Sequence, residues 1–289
     1  MSEVYYKSLD MVQVARSFNA AATSYDQYAV LQQEVARRLI ARLDFIKIKP
    51  QCIIDIGAGT GYPTHLLAKR YENADIILLD VAVNMLKEAK KTFGKQKLVC
   101  AAADKIPLPD RSVDFIFSNL MLQWSDDLAG TLIEWARILK PDGLLLFTSF
   151  GPQTLIELRS SWLDVDSFAH MSDFHDFPVW SSLMQQAGFT APVLDNDLFK
   201  LLYNDTNCLM RELKGLGANN THSARNKALT GKKHWQQMLK NYDTFRDTSD
   251  KIPATFEVIY GHAWGRAIQA SNEVSIPISK ILRNNGVRS

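Results

Sequence analysis

Apolar residues recur at helical spacing between Val30 and Leu43. Val30, Leu31, Val35, Leu39, Ile40 and Leu43 are separated by Glu34, Arg37, Arg38 and Arg42. The pattern predicts an amphipathic helix with one face turned to a core, and Pro50 punctuates its end. The period then changes. Residues 52–56 form a short apolar run ending in glycines, as a strand buried on both faces would. Residues 65–71 predict a helix, 76–80 a strand, 85–91 a helix, 97–101 and 113–118 two further strands, and 128–139 a helix. Lys140-Pro141-Asp142-Gly143 is a turn signal, and residues 144–149 form a fifth strand. This alternation predicts an α/β fold: a mostly parallel, doubly wound sheet with helices on both faces.

Beyond the fifth strand the alternation breaks. Residues 155–165 and 180–187 predict helices, with an aromatic, His-containing segment (168–177) between them. A weak strand at 198–203 precedes helices at 206–216 and 230–242, and a Thr-, Val- and aromatic-rich run at 253–264 predicts the last strand. The expected organisation is one domain over residues 31–270, with helical insertions near 152–190 and 205–245. Residues 1–30 are aromatic and Ala-rich and are expected to form a lid; residues 271–289 are expected to be a flexible tail.

Composition narrows the class. At 289 residues and 46% hydrophobic content, the chain can bury a large core and is too apolar for disorder. Its longest apolar runs, such as 144–147, fall far short of the ~20 residues a membrane helix needs. The N-terminal MSEVYYKSLD lacks a basic region followed by an apolar one, so a cytoplasmic protein without a secretory signal is expected. Lys plus Arg total 33 against 31 Asp plus Glu, and a net charge of +2 offers no bulk attraction for nucleic acid. Cys52, Cys100 and Cys208 stand far apart and read as reduced, half-buried thiols. His170 and His175 stand near Asp173 and Asp176, but no further ligands follow at zinc spacing, so no metal is expected. Lys87, Lys90, Lys91, Lys95 and Lys97 read as a solvated face, with docking of an acidic partner as the other reading.

The candidate chemistry begins at Asp55-Ile56-Gly57-Ala58-Gly59-Thr60-Gly61, between the first strand and the next helix. Glycines there let a ligand touch the main chain, and open α/β sheets bind nucleotides beyond their strand ends. The dinucleotide fingerprint G-x-G-x-x-G fails in both registers, because Tyr62 and Thr64 stand where its last glycine belongs. The spacing D-x-G-x-G-x-G resembles instead the loop of enzymes that use S-adenosyl-L-methionine. Asp80, at the end of the second strand, can accept from both hydroxyls of a ribose. Asp104 can accept from an adenine amino group, or cap a helix. Residues 119–124, after the fourth strand, would wall the sulfonium side. The candidate cofactor-binding set is Asp55, Gly57, Ala58, Gly59, Gly61, Asp80, Val81, Met85, Ala103, Asp104, Lys105, Asn119, Leu120, Gln123 and Trp124.

Three further segments extend the resemblance. Phe18-Asn19-Ala20-Ala21-Ala22-Thr23-Ser24-Tyr25-Asp26 is close to F-x-x-A-A-x-x-Y-[DE]. Asn119-Leu120-Met121-Leu122-Gln123-Trp124 is close to N-L-x-x-Q-W. Met210-Arg211-Glu212-Leu213-Lys214-Gly215-Leu216-Gly217-Ala218 is close to M-R-x-L-K-x-I-G-A. With these, the chain resembles the malonyl-acyl-carrier-protein O-methyltransferases of biotin synthesis, within the seven-stranded Rossmann-like methyltransferases that use S-adenosyl-L-methionine. It departs from them at Tyr62 and Pro63 and in a longer C-terminal tail.

The resemblance implies methylation of the free carboxyl of a malonyl thioester on a small acidic carrier protein, with S-adenosyl-L-homocysteine as the other product; a monomer is expected. A carboxylate with a pKa near ~4 is already ionised at neutral pH, so no general base is nominated. One cation would hold one carboxylate oxygen and leave the other free. Arg211 and Lys214, at i and i+3 on one helix, are the first candidates, and surface charge is their other reading. Tyr25 is a candidate lid residue or a packing aromatic, and Gln123 a candidate for orienting substrate; His222 and Arg225 follow. Other readings fit the same fold. Residues 150–159 and 253–255 also resemble the methyltransferase-like assembly factors of respiratory complex I, which points to a protein side chain as target. A small-molecule methyltransferase, or a binding module without turnover, is equally compatible with the fold.

Overall fold

The computed structural model describes residues 9–93, 96–226, 228 and 230–267. Helices α1 (Met11–Ala21), α2 (Tyr25–Tyr28) and α3 (Val30–Ala41) open the chain. Then β1 (Cys52–Ile56), α4 (Tyr62–Arg70), β2 (Asp75–Asp80), α5 (Val83–Phe93) and β3 (Lys97–Cys100) alternate. They are followed by β4 (Val113–Ser118), α6 (Leu128–Ile138) and β5 (Leu139–Phe150). Helices α7 (Ile156–Trp162) and α8 (Phe177–Gln186) lead to β6 (Thr190–Tyr203). Helices α9 (Thr206–Gly215) and α10 (Lys232–Asp243) lead to β7 (Ile252–Trp264).

The strands form one sheet in the order β3-β2-β1-β4-β5-β7-β6. The first five are parallel, and β7 runs antiparallel between β5 and β6. Strand order reverses between β1 and β4, which places a crevice beyond their C-terminal ends. Alternate residues of each strand face opposite sides. Ile53, Leu78, Phe115 and Leu144 pack with Leu31, Val35 and Leu39 of α3 and Leu67 of α4. Ile54, Ile77, Ile116 and Leu145 pack with Leu132, Trp135 and Ile138 of α6 and with Trp180 and Met184 of α8. The two apolar layers explain why the central strands read as unbroken hydrophobic runs.

Several boundaries differ from expectation. Helix α4 starts at Tyr62 rather than 65, because Gly61 ends the loop in a left-handed conformation and Pro63 presets the first turn. The turn expected at 140–143 is a bulge within β5: register shifts opposite Val113 and Phe115, and Asp142 (φ 57°) donates to Gly265 O at 3.1 Å. Strand β6 begins at Thr190 instead of 198. Its polar Asp195 and Asp197 pair with Arg42 (2.7 Å) and Arg38 (3.1 Å) of the α3 region, which dilutes the apolar signal of an edge strand. Cys100 is exposed, not half-buried as expected. The expected tail at 271–289 lies outside the described residues. Among the described residues, no helix is long and apolar enough to cross a membrane.

Candidate active site

The glycine loop turns sharply because its backbone is tied to β2. Gly57 and Ala58 N–H both donate to Leu79 O, at 2.8 and 3.0 Å. Gly59 N–H donates to Asp80 Oδ2 at 2.9 Å, while Asp80 Oδ1 accepts from Ala82 N–H at 2.8 Å. Gly57 has φ 74°, and a Cβ there would lie 2.3 Å from Met121 Cγ. Gly59 has φ 55°, and a Cβ there would meet nothing within 4 Å, because that side of the loop faces a cavity. Beneath the loop, buried Asp55 accepts from Thr64 Oγ1 at 2.6 Å through Oδ2, whereas its Oδ1 is buried without a partner. Burial pushes the Asp55 carboxyl up to about 7, with the charge of Asp80 adding to the rise and the Thr64 bond opposing it. Burial also raises Asp80, against the backbone donors of Ala82, Gly59 and Val81.

The cavity beside Gly59 measures about 350 Å³. Of the candidate cofactor residues, it is lined by Gly57, Gly59, Asp80, Val81, Met85, Ala103, Asp104, Lys105, Asn119, Leu120 and Trp124, drawn from the ends of successive strands. Asp55, Ala58 and Gly61 do not line it; they shape the loop from behind. Leu120 sits at φ 49°, held by its N–H donating to Thr148 Oγ1 at 2.9 Å, and Thr148 Oγ1 donates to Asn119 Oδ1 at 2.9 Å. A second cavity of about 640 Å³ adjoins the first, sharing Ser125, Asp126 and Asp127. Gln123 lines this second cavity rather than the first; its Nε2 donates to Leu120 O at 2.6 Å. The segment after β4 thus divides the two spaces, with Trp124 on one side and Gln123 on the other.

The N-terminal segment closes the smaller cavity. Met11, Val14 and Phe18 of α1 and Tyr25 of α2 line it, and Phe18 meets Trp124 edge-on at 5.2 Å. Asn19 binds Asn84 N–H of α5 at 2.8 Å, and Asp26 accepts from Thr60 Oγ1 of the glycine loop at 2.6 Å. Burial, then Asp80 and Asp26, raises the Tyr25 hydroxyl above its usual range, so it stays protonated. Arg211 and Lys214 are not brought to the site: both lie exposed on α9 and line neither cavity. Arg211 instead donates to Asn207 O within its own helix. His222 lines the larger cavity, whereas Arg225 pairs with Asp10 at 3.3 Å. Sequence reasoning missed Met11 and Val14, although the 11, 14, 18 spacing is a helical stripe legible in the chain; Met121, within the 119–124 segment expected to wall the site, does line the cavity.

The residues fit S-adenosyl-L-methionine. Gly59 leaves open space where a side chain would obstruct a ligand, Asp80 offers carboxylate oxygens from the end of β2, and Val81, Met85 and Leu120 supply apolar walls. Residues 54–147 match the family model described as a methyltransferase domain. The fold is that of known methyltransferase structures: a putative methyltransferase of Bacillus halodurans superposes with a TM-score of 0.59 at 14% identity, over 80% of this chain and 99% of that one. The YcgJ protein of Bacillus subtilis gives 0.58 at 17% identity, over 80% and 98%. In sequence, the chain is 43% identical to malonyl-acyl-carrier-protein O-methyltransferase 1 of Coxiella burnetii, over 96% of this chain and 98% of the relative. It is 40% identical to the enzyme of that name from Gallionella capsiferriformans, over 92% and 94%. A complete cofactor loop, the sheet that carries it and end-to-end similarity of this extent agree: the chain is a methyltransferase with S-adenosyl-L-methionine as cofactor, and it belongs to the malonyl-acyl-carrier-protein O-methyltransferase family.

Proposed function

We propose that this chain methylates the free carboxylate of a malonyl group carried as a thioester on acyl carrier protein, giving the methyl ester that enters pimeloyl synthesis for biotin. The observation that carries the reading is the 43% identity, spanning 96% of the chain, to a relative named for that reaction. The geometry supports it: a second space large enough for an acyl group and its thioester arm adjoins the cofactor cavity. When bound, S-adenosyl-L-methionine supplies a methyl carbon activated by its sulfonium, the departing electron pair staying on sulfur. The chain's own residues then have a simple task, because an ionised carboxylate has no proton to give up. They must hold it, align it and keep water out. Asp80, Asp104 and the backbone at Gly57 and Gly59 hold the cofactor. Phe18, Trp124 and Tyr25 keep the transfer space dry, with α1 and α2 acting as a lid. Gln123 orients substrate from the dividing wall.

Arg211 and Lys214 are better suited to meeting an acidic carrier protein from outside than to holding its acyl group. In the same reading, the enzyme is a cytoplasmic monomer that binds neither nucleic acid nor membrane, which its net charge of +2 supports. Light scattering of the purified protein at a dimer's mass would refute the monomer.

The test is incubation of the full chain with methyl-labelled cofactor and malonyl-, acetyl- or succinyl-acyl carrier protein. Base-labile label on the malonyl species is expected. No label, with cofactor binding intact by calorimetry, would refute the substrate and favour a protein side chain or a small molecule as the acceptor.

A further inference from the structure

The larger cavity is walled by aromatic side chains such as Phe150, Trp162 and Trp180 and by acidic ones such as Asp126 and Asp166. Among the described residues lining it, Arg159 is the one Lys or Arg. We propose that Arg159 is the residue that grips the acceptor carboxylate, an inference that rests on the malonyl reading above and assigns its substrate anchor.

The guanidinium carries five N–H donors in a planar fork. Its Nη1 donates to Asp173 Oδ1 at 2.9 Å and its Nη2 to Ser172 O at 3.1 Å, while Nε is buried without a partner. The Asp173 side chain is 85% exposed, so its pairing with Arg159 is weakened by water and is readily exchanged for another carboxylate. The remaining acids on the wall are already engaged. Asp126 accepts from Leu9 N–H at 2.7 Å, Asp127 from Gly130 N–H at 2.9 Å, and Asp166 from Phe168 N–H at 3.0 Å while pairing with His170 at 2.7 Å.

The platform under Arg159 is rigid. Two residues earlier on α7, buried Glu157 accepts from Thr255 N–H of β7 at 3.0 Å and from its hydroxyl at 2.5 Å. Three residues later, Trp162 stacks on His170 at 3.6 Å and 7°. Both fix α7, and with it the Arg159 backbone, against the sheet and the loop that roofs the cavity. Aromatic neighbours such as Phe150, Trp162 and Trp180 lower the local dielectric and strengthen a cation–carboxylate contact. A planar fork that takes one oxygen leaves the other free as nucleophile.

Steady-state kinetics on the full chain with malonyl-acyl carrier protein test the assignment. Arg159→Gln should raise KM by about tenfold to a hundredfold, as loss of a charge-assisted hydrogen bond predicts. Calorimetric affinity for S-adenosyl-L-methionine should be unchanged, because Arg159 does not line the cofactor cavity. Arg159→Lys should recover part of the loss. Asp173→Asn, which removes the competing carboxylate, should lower KM. If the Arg159–Asp173 pair is merely structural, the two neutral variants fail alike, and a KM rise in Asp173→Asn matching that of Arg159→Gln overturns the proposal. So does an Arg159→Gln KM within about twofold of the parent, a change too small for a lost carboxylate contact. If Arg159→Gln does not fold, the Arg159→Lys and Asp173→Asn directions decide. A parent chain inactive on malonyl-acyl carrier protein overturns the substrate reading and this inference together, whereas an active parent beside an unaffected Arg159→Gln overturns this inference alone.

Discussion

Asp55→Asn is the sharpest probe of the ground on which the glycine loop stands. Asp55 is 1% exposed, donates nothing when ionised, and receives one hydrogen bond, from Thr64 at 2.6 Å. Its carboxyl is raised to about 7, against ~3.9 for a solvated aspartate. A shift of roughly three units at ~1.4 kcal/mol each makes the ionised form about 4 kcal/mol dearer in the folded than in the unfolded chain. The sign follows from the direction. The folded state binds the Asp55 proton more tightly, so stability is fully present below the unfolded pKa and is lost as pH rises through about 7. Between about pH 5 and about pH 8.5 the loss is on the order of 2–3 kcal/mol, the rest having been spent below pH 5. Asn keeps the shape and can still accept from Thr64, but cannot ionise. It also places a buried amide where Oδ1 had no partner, which shifts stability by a constant at every pH. The slope is therefore the readout, not the offset. Thermal unfolding of the cofactor-free protein, with and without the substitution, should give a stability difference that moves in favour of Asn by roughly 5–10 °C over that range, at ~2–4 °C per kcal/mol for a chain of this size. Parallel pH profiles for the two proteins would show that Asp55 carries no such penalty and refute the reasoning.

Three other outcomes follow from the site. Gly57→Ala and Gly59→Ala both put alanine at a positive φ and should each cost stability; Gly57→Ala adds a clash with Met121 and so the larger stability loss, whereas Gly59→Ala points its methyl into the cavity and adds a loss of cofactor affinity; thermal unfolding and calorimetry on both variants separate the two, and equal losses in both measurements would contradict the geometry. Arg211→Glu with Lys214→Glu should raise KM for malonyl-acyl carrier protein several-fold at low salt, as loss of electrostatic steering does, with kcat unchanged and the effect shrinking as salt is raised. A loss that persists undiminished at high salt would return these residues to the acyl site. If α1 and α2 form a lid, saturating S-adenosyl-L-homocysteine should slow proteolysis within residues 9–28, and identical cleavage with and without it would show that the segment does not close.

The order of strands and helices up to β5 was legible because each element is buried in the way its period announces. Central strands covered on both faces give unbroken runs, and α3 and α6 give stripes of three and four. Legibility failed where polar groups are satisfied by distant partners. Asp195 and Asp197 make residues 190–197 look like a loop, yet Arg42 and Arg38 draw them into β6. The Pro141-Gly143 signal likewise reads as a chain break, but Gly265 N–H donates to Gly143 O at 2.8 Å and holds the segment in β5 as a bulge.

The site shows the same division between local and long-range information. Asp80 and the glycines could be placed because loop, strand end and ligand crevice are neighbours along the chain. The Met210–Ala218 motif could not, since the charges it displays are not the part that builds the cavity. Met210 and Leu213 pack on the core, while a Cβ on Gly215 would lie 2.4 Å from the Tyr28 ring. The small residue lets α2 settle against α9, three residues from Tyr25 and two from Asp26, and so fixes the wall over the cofactor cavity. Arg211 and Lys214 share the motif but face solvent. Arg159 ends the 150–159 segment, whose resemblance pointed to another group of proteins and gave it no role; it reaches a cavity on α7, which Glu157 ties to a strand almost a hundred residues later. A motif therefore marks which surfaces must meet, and the chemistry has to be sought on the side that the meeting leaves open.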